Sequence, residues 1–286
     1  MGVVALGSVR SCAVTTLSAA LAATWPDRRR VLLVEADPAG GTLAARAGWP
    51  EEPGLVSLAA AARRGGDPQM IWEHCQQMAG GRAVLAGPAP AEEAASALGM
   101  LGPLLSRLGE LDSDVVVDCG RLDPGSAALA LWEGAERSVL VARPRIADLQ
   151  AVATWLERRP VPPSRLGLVV VGDGPYPDEE IADALGAEIL SHVAWDPRAA
   201  EVLLSAAASS RKLRVAPLVR AARTLADRLA AERSGTATAA VAGAPEPMAP
   251  AEATPSVLWR ARAWRSRRAA TLLASANGSI PEGVDQ

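Results

Sequence analysis

Gly2-Val3-Val4-Ala5-Leu6-Gly7-Ser8-Val9-Arg10-Ser11-Cys12-Ala13-Val14-Thr15-Thr16 is the stretch on which the fold turns. Gly2 to Leu6 reads as a first strand, its apolar run in the pattern of a strand buried on both faces. A loop of small residues follows. From Thr15 to Thr24 the spacing becomes helical, and Trp25-Pro26 ends it. Strand, tight loop and helix start, in that order, leave backbone N–H groups and the positive end of a helix dipole facing one point. Such a point suits an anion.

The same alternation continues outward from this stretch. Val31–Glu35, Asp114–Asp118, Ser138–Ala142 and Leu166–Val171 read as buried strands, with Ala83–Ala86 shorter and Glu188–His192 weaker. Helical spacing is expected over Leu55–Arg64, Pro68–Met78 (with Asp67 as N-cap), Ala91–Leu108 (broken near Gly99–Pro103), Ile146–Arg158, Asp178–Leu185, Pro197–Ala206 and Val215–Glu232. Strands and helices in this rhythm predict an α/β fold, a doubly wound, mostly parallel sheet with helices on both faces. Right-handed crossovers then gather the C-terminal strand ends on one edge, where ligands bind in open α/β sheets.

Residues 1–232 are expected to form this domain. Residues 233–256, rich in Ala, Pro, Thr and Gly, read as a linker. Residues 257–286 form a basic C-terminal segment. Within it, Val257–Leu273 holds five arginines and two tryptophans and no acid. As a helix it would carry Val257, Leu258, Ala261 and Trp264 on one side. Such a helix suits an anionic membrane surface, and its arginines equally suit nucleic acid or an acidic partner.

Composition narrows the chemistry. The net charge is −3 over 286 residues, so no global field favours nucleic acid or membrane. Of the 29 Lys and Arg residues only Lys212 is a lysine, which excludes any mechanism needing a lysine before that position. Cys12, Cys75 and Cys119 are far apart, and with two histidines a zinc site is not expected. The absence of a basic leader or a long apolar run predicts a cytoplasmic chain, peripheral at the inner membrane face if the basic segment binds there.

Three segments fall at the expected sheet edge. The first loop supplies Arg10, Ser11, Cys12, Ala13, Val14, Thr15 and Thr16 as candidate phosphate contacts, with the Thr15 hydroxyl also a candidate metal ligand. After the second strand comes Glu35-Ala36-Asp37-Pro38-Ala39, in which Asp37 is the candidate catalytic acid. After the Val115-Val116-Val117 strand stands Asp118, a candidate Mg²⁺ ligand, because an acid closing a buried strand can orient the metal or its water.

At these points the chain resembles the ParA/MinD family of deviant-Walker ATPases, in the actinobacterial branch with a degenerate loop, over Gly2 to Glu232. Ala142–Asp148, Gly172–Pro177, Trp195–Arg198 and Ala216–Arg220 add to the resemblance. In the register set by Thr15 and Thr16, the family's two lysines fall on Val9 and Val14. Its glycines fall on Arg10, Ser11 and Ala13. The second acid and the proline of its D-x-D-P-Q segment are kept as Asp37 and Pro38.

The resemblance implies a P-loop NTPase-like fold, ATP and Mg²⁺ as ligands, a protein partner and a homodimer. The lost lysines remove charge-assisted contacts to the transferring phosphoryl group, so weak or absent ATP hydrolysis is expected. The expected role is a positioning or partitioning protein with a degenerate nucleotide site. Two other readings are an active ATPase in which Arg10 supplies the charge, and an adaptor tethered to membrane or nucleic acid through Val257–Leu273.

Overall fold

The computed structural model describes residues 2–63, 65–78, 80–159, 161–205 and 211–239. The basic segment Val257–Leu273 and residues 240–256 of the expected linker lie outside them.

Among the described residues eight strands form one sheet. They are β1 (Val3–Ser8), β2 (Val31–Glu35), β3 (Gln76–Met78), β4 (Arg82–Leu85), β5 (Asp114–Arg121), β6 (Arg137–Ala142), β7 (Leu166–Val171) and β8 (Glu188–Val193). Their order is β3-β4-β2-β5-β1-β6-β7-β8. Every pairing is parallel except β3 with β4. The doubly wound, mostly parallel sheet is therefore present.

Among the described residues ten α-helices join or follow these strands: α1 (Val14–Thr24), α2 (Leu43–Ala47), α3 (Leu55–Ala62), α4 (Ala91–Leu105), α5 (Ala127–Gly134), α6 (Ile146–Arg158), α7 (Asp178–Leu185), α8 (Pro197–Leu203), α9 (Arg211–Arg214) and α10 (Pro217–Ala239). Side chains alternate across the sheet, so each central strand feeds two cores. Ala5, Val34, Val117, Leu140 and Val170 pack with α3 to α7 on one face. Val4, Leu6, Leu33, Val116, Val139 and Val169 pack with α1, α8 and α10 on the other. At the edge opposite the candidate site, buried Asp114 accepts from the Trp25 indole at 3.0 Å and pairs with Arg29 at 3.0 Å. That fixes the end of α1 to the start of β5.

Several boundaries differ from the sequence reading. Pro68–Met78 is not one helix. A 3-10 turn covers Pro68–His74, started by the Asp67 side chain accepting from the Gln69 amide, and Gln76–Met78 becomes the antiparallel edge strand. Pro103 does not break α4, because its ring sits in a helix that continues to Leu105 and is held by Leu98, Leu101 and Leu104 in the core. Helices α2 and α5 were not expected. α10 continues to Ala239, so the segment read as linker from residue 233 begins inside a helix. Among the described residues no helix is long and apolar enough to cross a membrane.

Candidate functional site

Parallel pairing brings three strand ends together. Leu6 of β1 and Glu35 of β2 both stand in register with Asp118 of β5. The Ala36 amide donates to the Asp118 carbonyl at 2.7 Å, tying the Asp37 segment to the end of β5. Thr15, Asp37 and Asp118 are thus neighbours, as the sequence predicted.

Asp118 is fully buried. Its Oδ1 accepts from the Gly120 amide at 3.0 Å, while Oδ2 is buried with no hydrogen-bond partner. Burial pushes its carboxyl up to about 7, and the charges of Glu35 and Asp37 push the same way; the nearby Thr15 hydroxyl and the Gly120 amide pull it down. Thr15 lies beside the carboxylate without making a well-formed bond to Oδ2. A buried carboxylate oxygen left unsatisfied next to a hydroxyl is a deficit that a cation or its water would fill.

Glu35 does structural work beside it. Its Oε1 accepts from the Thr42 and Leu43 amides at 2.7 and 3.0 Å, and its Oε2 from the Gly87 amide at 3.0 Å. It holds the start of α2 and the end of the β4 loop, and burial raises its carboxyl. Asp37 is half-buried and closes an Asx turn, accepting from the Ala39 amide at 2.8 Å. Burial raises it as well, with Asp123 adding to the rise.

The first loop keeps a curl without glycines. Ser11 and Ala13 have φ of 35° and 49°, the left-handed region. Each carries a Cβ there, at a cost of about 1–2 kcal/mol. The Cys12 amide donates to the Ser8 hydroxyl at 3.1 Å, which closes the loop on itself. Ala13 precedes α1 and caps it with no side-chain bond.

The candidate loop residues divide between two sides. Ala13 and Thr16 border a cavity of about 220 Å³, floored by Leu17, Val171 and Leu218 and walled by Trp195. Arg10 is exposed and borders a separate groove with Pro124 and α6, so it does not stand over the threonines. Val14 is buried in the core beneath α1. Cys12 and Cys119 are buried free thiols, and burial raises both. That makes them poor nucleophiles and fits filler residues.

One residue was not singled out in the sequence. Arg143 is the first residue after β6, and its guanidinium lies 4.5 Å from the centre of the Trp195 ring. Its charge also partly offsets the rise that burial imposes on the Cys12 thiol. Its position directly after a central strand was the signal available. His192, read as structural, bonds the Gly172 carbonyl and the Asp178 carboxylate at 3.0 and 3.1 Å, pinning the end of β7.

Thr15 and Asp118 fit Mg²⁺ at the metal side. Among the described residues no group of three or more His, Cys, Asp or Glu is arranged to hold a metal. A magnesium ion there would take its remaining ligands from phosphate and water, as this ion commonly does. The loop is curled at Ser11 and Ala13. It does not fit lysine-dependent phosphoryl transfer, because residues 9 to 16 contain no lysine.

No family model matches the chain, and no curated protein matches its sequence. Solved structures do. The ParA family ATPase of Chlorobium tepidum TLS superposes with a TM-score of 0.64 at 19% identity, over 80% of this chain and 98% of that one. The cell division ATPase MinD of Pyrococcus furiosus gives 0.63 at 20% identity, over 81% and 100%. The septum site-determining protein MinD of Pyrococcus horikoshii OT3, complexed with Mg-ADP, gives 0.59 at 18%, over 80% and 95%. With its sheet order and its site edge at the strand ends, the described domain has the fold of the ParA and MinD ATPases.

Proposed function

We propose that this chain is a positioning or partitioning protein of ParA/MinD type whose nucleotide site holds ATP and Mg²⁺ weakly and hydrolyses ATP slowly or not at all. The observation that carries this reading is the pairing of a preserved metal side, Thr15 beside the unsatisfied Asp118, with a curled loop that has lost both lysines and all three glycines. Binding geometry and transition-state charge are separable. Removing one donor that stabilises developing charge typically costs about 10²–10³ in rate, and here two cationic donors are missing.

In this reading Asp37 orients water and Thr15 and Asp118 hold the metal, while Ser11, Cys12, Ala13 and Thr16 face the phosphates. Function then rests on what the protein binds: a protein partner, and a second copy of the chain across the loop face. Residues 233–256 space the basic segment 257–286 from the domain, and that segment contacts an anionic membrane or nucleic acid. The chain works in the cytoplasm, with the membrane surface as its second location.

The test is ATP binding by calorimetry with and without Mg²⁺, together with phosphate release. Weak binding without measurable turnover is expected. Micromolar binding with steady turnover would overturn the reading in favour of an active ATPase. In that case Asp118→Ala should abolish turnover.

A further inference from the structure

We propose that Arg143 is the anion-binding residue of the first loop, supplying from the end of β6 the charge that the loop's own sequence lacks. The ligand class is a phosphate-bearing anion seated between the Arg143 guanidinium, the curled segment 11–14 and the first turn of α1. The proposal deepens the reading of this loop as a phosphate site and rests on it.

Four observations carry it. First, Arg143 is half-buried, and among the described residues no carboxylate lies within 4.0 Å of it as an ion-pair partner. A partly desolvated guanidinium without a counter-ion is a standing demand for an anion. Second, it points at the loop. Its charge acts on Cys12 more strongly than that of Asp148 or Arg145, and its stacking partner Trp195 borders the cavity that Ala13 and Thr16 line. Cys12 lies between the two left-handed residues Ser11 and Ala13.

Third, its orientation is built. The guanidinium stacks on Trp195, and a stacked planar fork keeps its edge N–H groups available to a phosphate. The backbone next to it is clamped: a Cβ at Gly174 would come within 2.2 Å of the Pro144 carbonyl oxygen, so this glycine lets the β7 loop press on the residue after Arg143. Fourth, the buried, partnerless Oδ2 of Asp118 beside Thr15 marks the far side of the same helix start as incomplete. A phosphate bridging to a magnesium ion would satisfy both ends.

The ring of Trp195 is 55% exposed and touches the proposed binding group, so it reports on occupancy. The full chain should be titrated with pyrophosphate and with Mg-ADP, by calorimetry and by tryptophan emission. Saturable binding is expected, with an emission change that disappears in Trp195→Phe. Arg143→Gln should weaken binding about tenfold or more. Arg143→Lys should recover part of it, since the charge remains and the fork does not. Arg10→Gln should leave it unchanged.

Equal affinity in wild type and Arg143→Gln would overturn the proposal, as would the absence of saturable pyrophosphate binding or an emission change that survives in Trp195→Phe. If Arg143→Gln does not fold, the Trp195→Phe and Arg143→Lys results decide. These failures leave the positioning role standing, whereas rapid ATP turnover would overturn the reading of a slow, degenerate site and leave Arg143 in place.

Discussion

The Asp37 carboxylate occupies the space that a side chain at Gly120 would need: a Cβ there would lie 2.0 Å from Asp37 Cγ. Gly120 also has φ of +54°, where a Cβ is strained in any surroundings. Two segments from different strands are thus interlocked at the site. Gly120→Ala should destabilise the fold by about 2 kcal/mol or more. Urea denaturation measures this, and Asp37→Ala in the same chain should recover part of the loss. Purely additive effects would show that the two residues are not coupled.

Asp118 should make stability depend on pH in the sense opposite to a salt-bridged acid. Its carboxyl rises from an ordinary 3.8 to about 7 in the folded chain. Between those values the folded state holds a proton that the unfolded state has released. Stability therefore falls as pH rises through this window and stays low above it. Asp118→Asn should raise stability by on the order of 3 kcal/mol at pH 8 and by little at pH 4. Denaturation midpoints at the two pH values check this.

Glu35 gathers three backbone amides, and its removal should be costly. Glu35→Ala leaves the Thr42, Leu43 and Gly87 donors without their acceptor. A loss of about 3 kcal/mol is expected. Glu35→Gln keeps an acceptor for the α2 start and should lose less. Equal losses in the two variants, read from urea midpoints, would contradict the hydrogen-bond account.

The two left-handed residues of the first loop should be improvable. Ser11→Gly and Ala13→Gly remove a Cβ from a strained backbone, and the greater freedom of glycine in the unfolded chain offsets part of that gain. A net gain of up to about 1 kcal/mol for each is expected. Thermal unfolding measures it. Neither change should create ATP turnover, because neither restores a lysine.

The sequence showed the scaffold where local pattern and tertiary role coincide. β2, β5 and β7 carry the apolar runs Val31–Val34, Val115–Val117 and Leu168–Val171 because both of their faces are covered, so burial alone marks them. Thr15, Asp37 and Asp118 were legible because each follows or closes such a run. β3 was hidden: Gln76, Gln77 and Met78 carry no strand pattern, and pairing with β4 imposes it. Arg143 was hidden for the same reason. Its meaning depends on β6 lying beside β1 and on Trp195 lying across the end of β8, and neither adjacency is written locally.

The bond from the Cys12 amide to the Ser8 hydroxyl bears on how this loop meets a ligand. The curl is already set by the chain's own oxygen, so an arriving phosphate has little ordering entropy left to overcome and little shape left to change. Occupancy would then register as neutralised charge, with the loop itself unmoved. A nucleotide held this way would act as a fastening rather than as a timer.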